Sequence, residues 1–376
     1  MFLRELENYK IFKAGALLKN LRWSIILLIF IISGIGFMML YSAANRHMMP
    51  WALPQMMRFL VGVILMIGIA SINLRFWRHM AYLFYACSFL LLIAVEIIGN
   101  IGMGAQRWIN LGFFNIQPSE LMKIALILVL ARYFSAIKPE EIQNPKFLIL
   151  PLLMILMPAM LVAKQPDLGT ALLLVMIGAG ILFSAGVKVR YFIALGIAGL
   201  CCLPLVWCFL KSYQKSRILI FLNPEKDPLK SGYHILQSKI ALGSGGLFGK
   251  GFQAGTQSHL NFLPEKQTDF IFTMFSEEFG FFGATSLLGL YFLLMALSLR
   301  VGLESRDRFG KFVVLGVLIT VFVYVFINTS MVMGLVPVVG VPLPFVSYGG
   351  TALLTLLMSF GFLLGVDLQK YRKSSS

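Results

Sequence analysis

Runs of about 18 or more apolar residues recur along the whole chain, and each is long enough for a helix that crosses a bilayer. Trp23 to Tyr41 is the first. Inside hydrocarbon only helices and closed barrels satisfy every backbone group. Barrel strands alternate apolar and polar residues, whereas these runs are continuous, so they predict helices. The expected fold is an all-α polytopic integral membrane protein, a single membrane domain over 1–376 with about ten transmembrane helices. Their limits fall near 23–42, 55–73, 79–99, 119–136, 147–163, 168–186, 190–209, 270–299, 312–333 and 346–366. Pro151 and Pro158 predict a kink in the fifth. Composition agrees: 59% of residues are hydrophobic and 13% charged.

A net charge of +16 invites a nucleic-acid reading. The placement of the charge argues against it, because the basic residues sit in short loops between spans. One side carries Arg4, Lys10, Lys13, Lys19, Arg22, Arg75, Arg78, Arg132, Lys138, Lys146, Lys188 and Arg190. The same side continues with Arg300, Arg306, Arg308, Lys311, Lys370, Arg372 and Lys373. The short loops opposite hold only Arg46, Arg58, Arg107 and Lys164. Positive charge stays inside, so both termini are expected in the cytoplasm. The first apolar run exceeds the core of about 7–15 residues in a signal peptide, so it reads as an uncleaved span. One large extracytoplasmic loop, about 210–269, separates spans seven and eight; a loop of that length is usually functional. It holds a helix-like piece, His234 to Leu242, and a glycine-rich piece, GSGGLFGKGF.

Cys87, Cys201, Cys202 and Cys208 fall inside apolar runs and form no CxxC pair, so they read as small buried hydrophobes. No zinc site is expected, and none of the four histidines has metal-ligand spacing. Gly249-Lys250-Gly251 with Ala254 matches a dinucleotide fingerprint only superficially. It lacks a preceding strand, and the neighbouring residues fail the phosphate-loop pattern. Neither a nucleotide nor haem is expected.

Charges within or beside spans are costly and mark function. Three blocks concentrate them. QPSELMK, 117–123, places Glu120 and Lys123 on one helical face. KQPDLGT, 164–170, brings Asp167 to a similar depth, where it can pair with Lys123 across helices. The three form a structural ion network, or Lys123 holds an anionic substrate. PEKQTDF, 264–270, sets Lys266 and Asp269 at the mouth of span eight, with Glu277 and Glu278 about two turns further on. By position alone Asp269 is a helix cap or a functional carboxylate. Two further patches stand out. NIGMGAQRWINLG, 100–112, carries Arg107 and an interfacial Trp108. GLVPVVGVPLPFVSYGGTAL, 334–353, offers Ser347, Tyr348 and glycine amides at the start of span ten, which suits a phosphate.

NFLPEKQTDFIFTMFSEEFG, QPSELMKIA, KQPDLGTAL and VPLPFVSYGGTAL together resemble the SEDS family (shape, elongation, division and sporulation), and GLVPVVGVPLPFVSYGG, 334–350, looks more like its RodA branch than its division-specific FtsW branch. The resemblance spans nearly the whole chain. It implies a peptidoglycan glycosyltransferase of the bacterial cytoplasmic (inner) membrane, polymerising lipid II on the outer face. The implied partners are a class B penicillin-binding protein, which supplies the transpeptidase, and membrane lipid. The family's essential aspartate maps to Asp269, its span-four pair to Glu120 and Lys123, its QPD aspartate to Asp167 and its loop tryptophan to Trp108. Gln267 stands where a histidine is frequent. Asp269 is then expected to act as general base, or instead to hold a divalent cation, Mg or Mn. Lys123, Arg107 or Lys266 is expected to stabilise the leaving pyrophosphate. A lipid II flippase and a cell-wall scaffold are the rival functions, since intramembrane charges also mark carriers.

Overall fold

The computed structural model describes residues 19–98, 100–102, 105–110, 115–209, 215, 219–221, 231–259 and 265–372. Arg4, Lys10, Lys13, Lys211 and Lys373, and the side chains of Cys202 and His234, lie outside the described residues. The protein is a helical membrane bundle. Its apolar helices in chain order are α1 (Trp23–Ala43), α2 (Ala52–Ser71), α3 (Leu74–Ile98), α4 (Pro118–Ala136), α5 (Ile149–Lys164), α6 (Leu168–Ser184) and α7 (Val189–Phe209). Two short helices follow in the region expected as the large loop, α8 (Ser231–Ser244) and α9 (Thr256–His259). The bundle closes with α10 (Ile271–Glu304), α11 (Arg308–Val332) and α12 (Gly350–Arg372). Among the described residues seven helices are long and apolar enough to cross a membrane: α1, α2, α3, α5, α10, α11 and α12. The 21 residues of α1 rise roughly 31 Å, about the thickness of the hydrocarbon.

Burial sorts the helices. The apolar stretches of α11 and α12 are 72% and 78% buried, against 22% in α3. The first two are therefore the axis of the bundle. α12 lies along α2, and α11 packs on α4, α6 and α10. Exposed Leu60, Ile64, Leu83, Leu90 and Phe292 face outward from the peripheral helices, as lipid-facing side chains must.

The structure departs from the sequence reading in three places. Residues of the 100–116 loop form a small antiparallel sheet, in the order β1 (Asn100–Gly102), β2 (Ala105–Asn110) and β3 (Asn115–Ile116). A connection that leaves a span must find backbone partners, and a tight ribbon supplies them locally. Cys87, Cys201 and Cys208 are free and exposed on the outside of the bundle. A thiol is apolar enough to face lipid, so an apolar run does not tell its inner from its outer positions.

The third departure is a break in span eight. Within α10, Gly280 takes φ 67°, ψ −163°. The break strips hydrogen-bond partners from the turns on either side, and the glycine-rich segment restores them. Lys250 and Gly251 donate their amides to the carbonyls of Glu277 and Glu278, at 3.0 Å each. Phe281 and Phe282 donate theirs to Gly246 and Leu247, at 2.9 and 3.1 Å. GSGGLFGKGF thus serves as a backbone splint, and a Cβ on Gly245 or Gly249 would meet the α10 backbone at 2.3 or 2.1 Å.

Candidate active site

The loop between α11 and α12 is the point on which the three polar blocks converge. It is non-helical from about residue 335 to 349, and Val341, Leu343, Phe345, Val346 and Ser347 within it are buried. Irregular backbone in a bundle persists only where protein covers its polar groups. Here side chains from three other elements do so. Tyr291 of α10 donates to the Pro344 carbonyl at 2.5 Å, and Gln55 of α2 donates to that of Ser347 at 3.0 Å. Asn328 of α11 donates to that of Val341 at 2.7 Å.

The turn 265–270, which carries Asp269, is sewn to this loop. Tyr348 donates its amide to the Gln267 carbonyl at 2.8 Å. The Ser347 hydroxyl donates to the Thr268 carbonyl at 2.6 Å and accepts from the Leu343 amide at 2.7 Å. Asn328 also donates to the Asp269 carbonyl at 3.1 Å. A Cβ placed on Gly340 would lie 3.5 Å from the Asp269 carboxylate, so side chain and loop backbone face each other. The residue at the N-cap of α10 is Phe270. Asp269 is therefore not its N-cap. Lys266, three residues earlier, is buried, and burial pushes its ammonium below the ordinary lysine value.

Glu120 and Lys123 lie in the first turns of α4, both buried. Pro118 starts that helix at its first position, where a missing amide costs nothing. Lys123 donates to Glu120 at 2.6 Å and bonds to the Tyr324 hydroxyl of α11. Thr355 of α12 donates to the other Glu120 oxygen at 3.0 Å. The pairing of Lys123 with Asp167 expected from sequence does not form, because each has nearer partners. Asp167 caps α6, accepting from the Thr170 amide at 3.2 Å and its hydroxyl at 3.0 Å. Arg107 of β2 lies 3.7 Å from Asp167 and donates to the Gln165 and Pro166 carbonyls. Gln117 reaches Asp167 at 3.4 Å and so joins the first block to the second. The second block reaches the loop in turn: a Cβ on Gly169 would lie 2.5 Å from the Val339 carbonyl, one residue from Gly340.

Trp108 stands opposite Asn100 across the β1–β2 ribbon, half-buried. Glu277 belongs to the splint. It is fully buried and accepts from Lys250 at 2.8 Å and from the Gln257 amide at 3.0 Å. Ser42 of α1 donates to Glu278 at 2.5 Å. Among the described residues no three His, Cys, Asp or Glu side chains gather into a group able to hold a metal ion.

Four participants escaped the sequence reading: Asn328, Tyr324, Thr355 and Arg58. The first three are uncharged polar residues in apolar stretches of α11 and α12, and their position there was the available signal. Arg58 stands 5.1 Å over the Tyr348 ring, beside Gly350 at the start of α12. Its basic charge on the sparsely basic side pointed to it.

The model of the cell cycle protein family that contains FtsW, RodA and SpoVE matches residues 20–372. The chain belongs to this family. Among its relatives is the peptidoglycan glycosyltransferase MrdB of Escherichia coli K12, 43% identical over 318 residues, covering 84% of this chain and 85% of that one. A chain from a peptidoglycan synthase complex that coordinates polymerization and crosslinking superposes with a TM-score of 0.81 at 30% identity, over 94% of this chain and 99% of that one. Thermus thermophilus RodA superposes with a TM-score of 0.70 at 27% identity, over 93% and 98%. The RodA-branch resemblance of the 334–350 segment agrees with these matches.

Proposed function

We propose that this protein is a peptidoglycan glycosyltransferase that polymerises lipid II, serving cell elongation and rod shape from the bacterial cytoplasmic membrane. Membership of the family and the named activity of the MrdB relative support the reaction class. The observation that carries the site is the carboxylate of Asp269 facing the 340–349 loop, 3.5 Å from where a Cβ on Gly340 would stand. Positive-inside charge puts this end of the bundle outside the cell, and the expected ten spans agree with both termini inside.

The GlcNAc 4-hydroxyl of one chain attacks C1 of a MurNAc bearing polyprenyl pyrophosphate. The hydroxyl proton passes to Asp269 as the new C1–O bond forms, and the pyrophosphate leaves with the electrons of its own C1–O bond. A single displacement turns the α-linked donor into a β-1,4 linkage. Lys123 is enclosed by Glu120 and Tyr324, and Arg107 is committed to backbone carbonyls and Asp167. Arg58, beside Tyr348 at the start of α12, and Lys266, three residues from Asp269, are the cations placed to meet the pyrophosphate. The exposed apolar faces beside this end suit the polyprenyl tail, and a class B penicillin-binding protein is the partner.

The test is lipid II polymerisation by purified protein with its cognate class B partner, wild type against Asp269→Asn, with and without EDTA. Loss of a general base lowers the rate by about 10²–10⁴-fold, so Asp269→Asn is expected to yield no visible glycan. Full activity of that variant would end the catalytic reading of Asp269. Inhibition of wild type by EDTA, reversed by Mg or Mn, would assign the carboxylate to a cation. No polymer from either protein, beside movement of lipid II across liposomes, would make it a carrier.

A further inference from the structure

Asn328 lies one turn before the end of α11 and is fully buried. An amide in an apolar span is costly unless its groups are bonded. Its nitrogen donates to two carbonyls, that of Asp269 at 3.1 Å and that of Val341 at 2.7 Å. Its oxygen has no partner among the described residues. The donor end is thus the end in use, and a residue without donors cannot replace it. The two carbonyls are also a telling pair. One belongs to the proposed catalytic residue itself. The other adjoins Gly340, the residue whose Cα faces the Asp269 carboxylate. A single side chain therefore sets the spacing between the peptide that carries the carboxylate and the backbone it faces.

We infer that Asn328 is a positioning residue for Asp269. Its two bonds fix where the carboxylate stands relative to the sugar hydroxyl, while substrate is held by other groups. This inference rests on the reading of Asp269 as the catalytic carboxylate. Misplacement of a reacting group by about 1 Å can cost about 10²-fold in rate, and the loss falls on kcat when substrate binding is untouched.

The experiment compares Asn328→Asp, Asn328→Ala, Ser238→Ala and Asp269→Asn as purified complexes with the class B partner, measuring kcat and KM for lipid II together with Tm. Asn328→Asp sets a carboxylate against two carbonyls and is expected to lower kcat about 10- to 100-fold with KM within about 2-fold of wild type. Asn328→Ala is expected to show the same split to a smaller degree, and it keeps the test alive if the Asp variant does not assemble. Ser238 of α8 makes comparable buried bonds to Thr273 and to the Val332 carbonyl at the end of α11. Its removal is expected to lower Tm and leave kcat unchanged. If both Asn328 variants keep wild-type kcat while Asp269→Asn is inactive, or if Ser238→Ala loses as much kcat as they do for the same fall in Tm, the positioning role is overturned. An active Asp269→Asn would instead overturn the reading beneath it.

Discussion

Lys123 shows how far a single side chain can be read. Its spacing from Glu120 is legible in QPSELMK, because residues three apart share a helical face. Its choice of Glu120 and Tyr324 over Asp167 is not, because Tyr324 arrives from a helix about 200 residues further on and carries no charge to betray it. The Glu120–Lys123 pair is buried on both sides. Removing one partner of such a pair leaves an uncompensated charge and costs about 3–5 kcal/mol, whereas neutralising both often costs little. Lys123→Met is therefore expected to lower the thermal midpoint in detergent sharply. The double variant Glu120→Gln with Lys123→Met should recover much of the loss. A double variant no better than the single one would show that the charge on Lys123, rather than its burial, is the quantity the protein requires.

At the scale of elements, the apolar helices were readable and the break in α10 was not. Continuous apolar runs announce helices because hydrocarbon leaves the backbone no other choice. The break depends on a segment about 30 residues upstream in sequence that supplies the missing bonds, and only the run of glycines hinted at close backbone contact. The splint predicts where a methyl group cannot be tolerated. Gly249 has φ 81°, and a Cβ there would lie 2.1 Å from the Glu278 carbonyl oxygen. Backbone must shift to admit it, and a left-handed non-glycine residue adds of order 1–3 kcal/mol. Gly249→Ala is expected to destabilise the protein by at least that amount, read as a drop in Tm. Gly251→Ala meets only a side-chain methyl at 3.9 Å and should cost less, despite its own positive φ. Equal losses would mean that φ alone, and not the close fit to the α10 break, sets the glycine requirement.

Taken whole, the molecule is polarised in charge, and the polarity bears on which end meets the cell wall. At the end opposite Asp269, Arg22 pairs with Glu304 and Asp367, Lys370 joins the same two carboxylates, and Arg78 pairs with Asp307. Arg132 and Arg308 at that end donate to the carbonyls of residues 78, 79, 134 and 137. These bonds tie α1, α3, α4, α10, α11 and α12 together while keeping the basic excess on one side. The rule that basic loops stay in the cytoplasm then supports the proposed orientation of the bundle. Ala254, in the splint region, and Arg306, between α10 and α11, are both exposed. With the four native cysteines replaced, Ala254→Cys is expected to react with a membrane-impermeant maleimide added to intact spheroplasts. Arg306→Cys should react only after the membrane is opened. The reverse pattern would place Asp269 in the cytoplasm, where no glycan strand is laid down, and would remove the wall-building reading together with the orientation.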